Sequence, residues 1–505
     1  MTSVLYSGGR FYSAADPRAT AMLVSGGRIG WLGSVEDAPA ADVVVDLAGG
    51  LVTPAFVDAH VHVTDTGLAA GGLDLSGVRS ARELLDTLAV FAASCPVDAV
   101  VLGLRWDESL WPVQALPDAD ELEKAAGGRR VYLTQASVHA ALVSRSLLAA
   151  AGLDGGSGWV SEHEHHLVRE VALGSVSAAQ RESAQRAALR SAAARGVAAV
   201  HECGGPGTSG EDDFRSVLAL SGRGLPRVFG FWGELGGAVR ARDLGAVGAG
   251  GDLFADGALG SRTASVRTPY ADGPGCGESF VTGEQAGAHL LECMELGLQG
   301  GFHAIGDAAI EAVLEGFAVA ARAVGVDRVR AARHRIEHVE LADKAMIARM
   351  VEFGVVASVQ PVFDARWGGP DRMYAQRLGV ERAMAANPVG AMYATGVSLA
   401  FGSDSPVTPI DPWAAVAAAV APRNPVFRMG VRSAFGASTR GGWRAVGVDD
   451  AGVLSPGAQA TFAVWDTPSG LSGGLPALVP DVDGVVPDRP VCRRTVLSGE
   501  TIFEE

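Results

Sequence analysis

Three features of this 505-residue sequence predict an α/β fold: a (β/α)8 TIM-type barrel with a small β-sandwich domain and an inserted α/β lid. Eight short apolar segments are each followed by a segment of helical period. Runs typical of β-strands, separated by turn signals, occupy both ends of the chain. One connection is far longer than a barrel needs. The predicted domains are residues 1–53 plus 448–505 for the β-sandwich, 54–447 for the barrel and 65–185 for the inserted lid.

The β-sandwich is predicted from the two chain ends. The first fifty residues alternate short β-type runs with turns, as in AMLVSGGRIGWLGS, where a Ser-Gly-Gly turn at 25–27 separates two apolar stretches. A similar pattern returns near the other end in QATFAVWD (459–466) and CRRTVLSGETIF (492–503), which contains another Ser-Gly turn. We therefore expect both ends of the chain to build one small β domain.

The barrel is predicted from eight strand-like segments, each with a helical pattern after it. They are FVDAHVH (56–62), GVAAVHE (196–202), RVFGFWG (227–233), DLFADG (252–257), GGFHAIGD (300–307), RIEHV (335–339), VVASVQP (355–361) and LAFGSDSP (399–406). The helix after 307 illustrates the period, with Ile310, Val313, Leu314 and Phe317 on one face. Functional residues of such a barrel come from the carboxyl ends of its strands.

Composition narrows the function classes. Lys and Arg total 41 and Asp and Glu total 57, so the net charge of −16 repels polyanions and argues against a nucleic-acid partner. No stretch approaches the roughly 18 apolar residues that span a bilayer. The five cysteines are scattered without C-x-x-C spacing, and no export signal is recognisable at the N-terminus. We expect a cytoplasmic protein that acts on a small molecule.

Histidines indicate where chemistry occurs. Four of the eleven, His60, His62, His303 and His338, stand at the predicted carboxyl end of a barrel strand. One residue separates His60 from His62, so both rings point to the same face of an extended strand. A single histidine is more often a core residue, but four at equivalent positions favour a metal site. Asp404 adds a carboxylate at the last strand, which completes a set suited to metal-assisted hydrolysis.

The motifs FVDAHVH, LFADGALGSRTA, FHAIGD, RIEH and FGSDSP, in this order, resemble the amidohydrolase superfamily. Within it they are most similar to the third metal-dependent subgroup, which includes N-substituted formamide deformylases. The resemblance covers nearly the whole chain. It implies these metal ligands: His60, His62, His303, His338 and Asp404. It further implies that Asp404 is the general base and that His139 and Arg262 lie near the substrate. In the hydrolysis that we expect, His338 or Arg262 steadies the oxyanion.

One position departs from the subgroup. Relatives commonly carry, before the ADG motif, a carboxylated lysine that bridges two metals, whereas this chain has Asp252. A side chain with one methylene is expected not to reach between two ions, so one tightly bound divalent ion is favoured over a bridged pair. Zinc is the first expectation, with manganese or iron as alternatives. Glu202 is a candidate replacement ligand and Asp256 another, although an ion pair or a turn would explain either residue.

The leading hypothesis is a metal-dependent hydrolase that cleaves a C–N bond in an amide, an N-formyl compound or a cyclic amide. A deaminase or another hydrolase on the same scaffold is the alternative within enzymes, because one barrel hosts many chemistries. A relative that binds a small molecule without catalysis, with a degenerate metal site, is the alternative outside enzymes. Metal content separates these classes. Relatives often pair, so a homodimer is also among the expectations.

Overall fold

The structure is a computed structural model that describes residues 2–505 except 109–110, 114, 136–139, 154, 207, 469 and 480–486. The chain divides into two compact units, one of Met1–His62 with Leu189–Glu505 and the other of Val63–Ala188. The bounds of the second unit lie close to those predicted for the insert, 65–185. Each unit has its own sheets and its own core.

An eight-stranded parallel sheet dominates the first unit and confirms the predicted barrel. Its strands are β1 Phe56–Val61, β2 Val197–Gly204, β3 Arg227–Trp232, β4 Gly248–Ala249, β5 Gln299–Ala304, β6 Arg335–His338, β7 Val356–Val359 and β8 Ser398–Phe401. Each strand pairs with its successor in the chain. The sheet nearly closes on itself, because Val61 forms a parallel bridge with Ser405 just beyond β8.

The fourth strand differs from its prediction. It covers Gly248–Ala249, whereas 252–257 was expected. The regular strand ends before Gly250 and Gly251, where Gly251 has a φ of +74° and a Cβ on Gly250 would lie 2.6 Å from the backbone of Gly301. Glycine is the residue that tolerates both conditions. Asp252 therefore follows the end of β4 instead of beginning a strand. The chain meets β5 again through an isolated parallel bridge between Phe254 and His303.

Helices surround the barrel strands. The helix that follows β5 buries Ile310, Val313, Leu314 and Phe317 completely, as its period predicts. The helices of this unit are Glu211–Ala219, Ala238–Leu244, Gly283–Glu295, Asp307–Val324, Val326–Ala332, Lys344–Phe353, Pro361–Trp367, Met373–Leu378, Val380–Ala385, Val389–Thr395, Pro412–Val420, Val431–Ser438 and Arg440–Ala445.

Both chain ends build two larger sheets of the first unit, besides a two-stranded sheet of Leu471–Ser472 and Leu475–Pro476. One sheet contains Ser3–Ser7, Ala21–Ser25, Arg28–Gly33 and Val43–Asp46. The other contains Arg10–Phe11, Leu51–Pro54, Phe462–Asp466, Val491–Leu497 and Glu500–Glu504. A shared apolar core joins them, in which the rings of Tyr6 and Phe462 meet edge to face at 4.9 Å. The pairing of Val52 with Val464 shows that distant parts of the sequence form one sheet.

The second unit is α/β with a five-stranded sheet. In spatial order its strands are Trp159–Ser161, Ala140–Val143, Val131–Gln135, Val101–Trp106 and Leu73–Asp74. Its helices are Val63–Gly71, Ala81–Ser94, Ala119–Ala125, Arg145–Ala150 and Glu162–Gly174, together with the part of Ala178–Ala193 up to Ala188. Trp106 and Trp111 belong to its apolar core, and their indole N–H groups donate to the carbonyls of Leu133 and Val78. These tryptophans stabilise the unit itself. Among the described helices, none is both long and apolar enough to cross a bilayer.

Candidate metal centre

The structure brings together the four histidines that sequence analysis selected. His60 lies at the end of β1 and His62 directly follows that strand, His303 lies near the end of β5, and His338 ends β6. The ring centroids of His60 and His338 are 5.0 Å apart, and those of His303 and His338 are 4.4 Å apart. The parallel barrel explains this convergence, because the carboxyl ends of its strands meet at one face.

Protein acceptors orient three of these rings. Nδ1 of His60 lies 2.9 Å from Oε2 of Glu337, and Nδ1 of His338 lies 2.8 Å from Oε1 of Gln360. Nε2 of His303 lies 3.1 Å from the carbonyl oxygen of Gly257. Each acceptor takes one N–H and so leaves the opposite nitrogen with a free lone pair. In metal sites, an acceptor for the ring N–H that does not face the ion orients the imidazole ligand in the same way.

Asp404 faces the first histidine pair. Its Oδ1 is 3.5 Å from Nε2 of His60 and 3.3 Å from Nε2 of His62. Its backbone N–H donates to the carbonyl of His60 at 2.8 Å, which ties the end of β8 to β1. The φ of Asp404 is +53°, a left-handed conformation that is uncommon outside glycine and occurs often at functional sites.

Asp252 is the residue that sequence analysis missed. Its carboxylate lies among all four histidines, at 3.1 Å from His62, 3.4 Å from His60 and His303, and 3.6 Å from His338. The expectation that a short side chain cannot reach the centre was wrong, because it assumed a strand through 252–257. The turn after β4 instead carries the backbone inward. The signal available in the sequence was the Gly-Gly pair immediately before Asp252.

These six residues, His60, His62, Asp252, His303, His338 and Asp404, are called the metal centre below. Within the described residues they form three overlapping triads whose ligand atoms lie within 4.8 Å of one another: His60–His338–Asp404, His60–His62–Asp252 and Asp252–His303–His338. Imidazole nitrogen and carboxylate oxygen are ligands that zinc and similar divalent ions accept.

Unsatisfied atoms provide an independent test of this fit. Nε2 of His60, Oδ1 of Asp252, Nδ1 of His303 and Nε2 of His338 are buried without a hydrogen-bond partner in the described part of the chain. A buried polar atom left unpaired costs about 1–3 kcal/mol. Four such atoms converge on one place, so the donor set fits a bound cation.

The electrostatics of the centre favour positive charge. Burial alone would lower the pKa of His60, but Cys203, Asp252 and Asp404 raise it well above its usual value. Burial also acts to lower the pKa of His62, and the same two carboxylates raise it well above the usual value. Burial would raise the pKa of Asp252, yet the surrounding histidines hold it well below its usual range. The two carboxylates are therefore ionised and attract protons or metal ions.

A buried ion pair lies beneath the centre. Arg335 donates to both oxygens of Glu337, to the carbonyl of Ala59 at 2.6 Å and towards Nδ1 of His201 at 3.1 Å. Its guanidinium also stacks 4.3 Å from the ring of Phe231. Burial would raise the pKa of Glu337, but Arg335 and His60 hold it far below the usual range. Glu337 is thus an anion that holds His60 in place.

Three predicted site residues lie elsewhere or outside the described chain. Glu202 is buried in β2, but neither it nor any atom of it enters a ligand triad among the described residues. Its neighbour His201 faces the barrel interior, and alternation along a strand sends Glu202 to the opposite face. Arg262 forms a two-point ion pair with Asp272, at 2.9 and 2.8 Å, and is 42% exposed. His139 lies outside the described residues.

Asp256, the other candidate carboxylate, has a turn role. Its oxygens accept backbone N–H groups from Ser265, Ile305 and Gly306 at 2.7–3.0 Å. These three hydrogen bonds fasten the loop after Asp252 to the end of β5. Asp256 thus stabilises the loop, whereas Asp252 is left to face the histidines.

Comparisons with known proteins agree with this architecture. The sequence profile of the amidohydrolase family matches residues 43–503. YtcJ of Bacillus subtilis strain 168 is 27% identical over 465 residues, which cover 82% of this chain and 83% of that protein. The N-substituted formamide deformylase of Arthrobacter pascens is 25% identical over 458 residues, 81% of this chain and 82% of its own. A metal-dependent hydrolase of Pyrococcus furiosus, 24% identical, has a TM-score of 0.78 and covers 92% of this chain and 98% of its own, which shows a shared fold.

Proposed function

Because this chain belongs to the amidohydrolase family, we propose that it hydrolyses the C–N bond of an amide, an N-formyl compound or a cyclic amide at the metal centre. One observation carries the proposal: four buried, unpartnered ligand atoms converge at the carboxyl ends of the barrel strands. A site with an unused ligand set, at the face where barrel enzymes act, is suited to metal-assisted hydrolysis.

The proposed cofactor is one tightly bound divalent ion, with zinc expected and manganese or iron as alternatives. When bound, such an ion acidifies water and polarises a substrate carbonyl. Asp252 and Asp404 bring two negative charges to the centre, against the four positive charges of two divalent ions. Two such ions a few ångström apart would repel strongly. The reason to expect one ion is therefore charge repulsion, and not the length of the Asp252 side chain. Elemental analysis that finds about two ions per chain would contradict this expectation.

Asp404 is the proposed general base. Burial would raise its pKa, but His60, His62 and His338 lower it, so the carboxylate is ionised at neutral pH and able to accept a proton. Water adds to the carbonyl carbon and its proton passes to Asp404. The same proton then moves to the leaving nitrogen as the C–N bond breaks. His338, whose Nε2 faces the centre, is proposed as a ligand through that atom. Only a proton on Nε2 in place of the metal ion would let His338 steady the oxyanion instead.

Three further site residues belong to the proposal: Arg262, His139 and Glu202. Arg262 would contact the substrate or its oxyanion only after exchanging its ion pair with Asp272. His139 is proposed to contact the substrate, and Glu202 to serve as a further ligand, on the resemblance alone. A cytoplasmic location and pairing of two copies complete the proposal, and cell fractionation and light scattering test them.

The test is a substrate screen with matched metal forms. Chelator-treated protein is reconstituted with zinc, manganese or iron and offered N-formyl amines, N-acyl amines and cyclic amides, with release of amine measured. A His62→Ala variant prepared in the same way is the control. Amine release that requires both metal and His62 would support the proposal. Protein that retains no metal and turns over no substrate would indicate a relative that only binds small molecules.

A further inference from the structure

Asp252 is the carboxylate that contacts both histidine pairs of the metal centre. Its Oδ2 is 3.1 Å from Nε2 of His62, and its Oδ1 is 3.4 Å from Nε2 of His60. The same Oδ1 is 3.4 Å from Nδ1 of His303 and 3.6 Å from Nε2 of His338. It belongs to two of the three ligand triads, one with each pair.

These distances fit ligands of a common ion. Zinc lies about 2.0–2.2 Å from imidazole nitrogen and carboxylate oxygen, so two ligands at a tetrahedral angle are about 3.3–3.6 Å apart. The separations from Oδ1 to His60, His303 and His338 are 3.4–3.6 Å. The nitrogens concerned present lone pairs, because their rings donate elsewhere. Lone pairs set against an anionic oxygen repel it, so either protons on these nitrogens or a bound metal ion must lie between them.

Hydrogen bonds of the local loop hold Asp256, but none of those described holds Oδ1 of Asp252. Asp256, four residues later, spends its oxygens on three backbone N–H groups. Oδ1 of Asp252 is buried and has no hydrogen-bond partner among the described residues. The preceding turn at Gly250 and Gly251 moves its backbone towards the centre, which compensates for a short side chain. The contacts of its carboxylate that the described residues show are therefore those to the four histidines of the metal centre.

We propose that Asp252 is a direct ligand of the metal ion and joins the His60–His62 pair to the His303–His338 pair through its carboxylate. The proposal rests on the proposed function only in requiring that a divalent ion occupies the centre. The alternative role for Asp252 is to orient another ligand without binding the metal itself. The two roles predict different losses of zinc affinity and different cobalt spectra when Asp252 is substituted.

Metal titration provides the first test and needs no substrate. The dissociation constant for zinc is measured by competition with a chromophoric chelator for the wild-type chain, Asp252→Asn and Asp252→Glu. Loss of an orienting residue typically weakens metal affinity about 10–100-fold, so a ligand should cost more than about 100-fold in Asp252→Asn. Glu340→Gln is the matched control, because Glu340 is another buried carboxyl near His338 but bonds to Tyr374. It should change zinc affinity little.

Cobalt spectra provide the second test. At saturating cobalt, Asp252→Asn should shift the visible absorption bands, because an anionic oxygen ligand is lost, while Glu340→Gln leaves the bands unchanged. Asp252→Glu keeps the charge and displaces the carboxylate by one methylene, so it should retain cobalt with an altered spectrum. This variant keeps the test decisive if Asp252→Asn does not fold.

The outcomes separate this proposal from the proposed function. Wild-type spectra in both Asp252 variants, or a zinc affinity within about 100-fold of wild type in Asp252→Asn, would overturn Asp252 as a ligand and leave the hydrolase intact. Wild-type protein that binds neither zinc nor cobalt would overturn both. A loss beyond about 100-fold with altered cobalt bands would support the proposal, whether or not a substrate is known.

Discussion

The barrel interior holds two adjoining groups of buried polar side chains that differ in how their bonds are completed. In the lower group, Arg335 and Glu337 satisfy each other and reach the carbonyl of Ala59. In the metal centre above, ligand atoms of His60 and its neighbours are buried without hydrogen-bond partners in the described chain. Both groups are charged and both are withdrawn from water. Burial by itself therefore does not distinguish the two groups, whereas the convergence of four unpartnered ligand atoms on one place does.

Glu337 connects the two groups. One of its oxygens accepts from Arg335 and from Nδ1 of His60, which directs Nε2 of that ring into the centre. The satisfied pair thus serves as a rigid base that positions an unsatisfied ligand. Substitutions in each group should separate their roles. A substitution in the metal centre should lower metal affinity and turnover, whereas a substitution in the Arg335–Glu337 pair should lower the stability of the fold.

The largest effect should come from the metal centre. His60→Ala or His62→Ala removes a ligand, so turnover and metal retention should both fall below detection while the fold persists. Elemental analysis, amine release and the melting temperature of metal-free protein measure the three quantities. Undiminished activity in either variant would remove the basis for the metal centre.

A smaller loss is expected from Asp404→Asn, which keeps the shape but cannot accept a proton. Turnover should fall by about 10²–10⁴-fold even at saturating metal, the usual contribution of a general base. The ratio of kcat values at matched metal content measures it. Comparable rates in variant and wild type would place the base at another residue.

Substitutions in the Arg335–Glu337 pair should change the stability of the fold. Arg335→Met leaves Glu337 buried without its cation, which should cost about 3–5 kcal/mol in the free energy of unfolding by urea. The double variant Arg335→Met with Glu337→Leu should recover most of this, since both charges are gone. It should nevertheless weaken zinc binding about 10–100-fold, because His60 loses its acceptor. A single variant as stable as wild type would show that the pair is not structural.

The pH dependence of metal binding sharpens the contrast further. The carboxylates raise the pKa of His60 and of His62 well above 6.5, so protons compete with metal even above that pH. The zinc dissociation constant should therefore rise as pH falls from about 8 to about 6, by about tenfold per pH unit for each proton displaced. Calorimetric titrations across this range measure the slope. A constant affinity over the range would contradict the competition.

The smallest effect is expected at Glu340, a buried carboxyl that accepts a hydrogen bond from Tyr374 and forms no ion pair within the described part of the chain. Burial, opposed by Tyr374 and His303, raises its pKa from 4.5 to about 7. A raised carboxyl pKa stabilises the fold below about pH 4.5 and loses that contribution as pH rises through about 7, by at most about 3 kcal/mol. Glu340→Gln should be relatively more stable at pH 8 than at pH 5, as thermal unfolding at both pH values would show. If the stability difference between Glu340→Gln and wild type is the same at pH 5 and pH 8, the pKa of Glu340 is not raised.

Local patterns account for the parts of the molecule that sequence analysis predicted correctly. Eight apolar segments with helical periods between them predict a barrel, because alternation and period report burial over a few residues. The positions of His60, His303 and His338 at strand ends follow from the same patterns, and parallel geometry then brings those ends together. The assignment of Asp404 to this face follows likewise from its place after the last strand.

Sequence patterns were less informative where backbone geometry or side-chain direction mattered. The apolar character of DLFADG suggested a strand, but the two glycines before it ended β4 early and turned Asp252 inward. Glu202 occupies a strand end, as predicted, yet its neighbour His201 has the interior face. Arg262 forms an ion pair with Asp272, ten residues away across a loop, which no periodic pattern indicates.

By itself the sequence determined which segments are strands, which faces they bury and which residue types stand at the catalytic end of the barrel. Only the tertiary structure decided which polar atoms meet. His60 bonds to Glu337 across 277 residues, and Arg335 reaches the carbonyl of Ala59 across 276. The physical reason is that propensity and periodicity act between near neighbours, whereas these contacts depend on strand register and on the closing of the sheet, which many distant side chains set together.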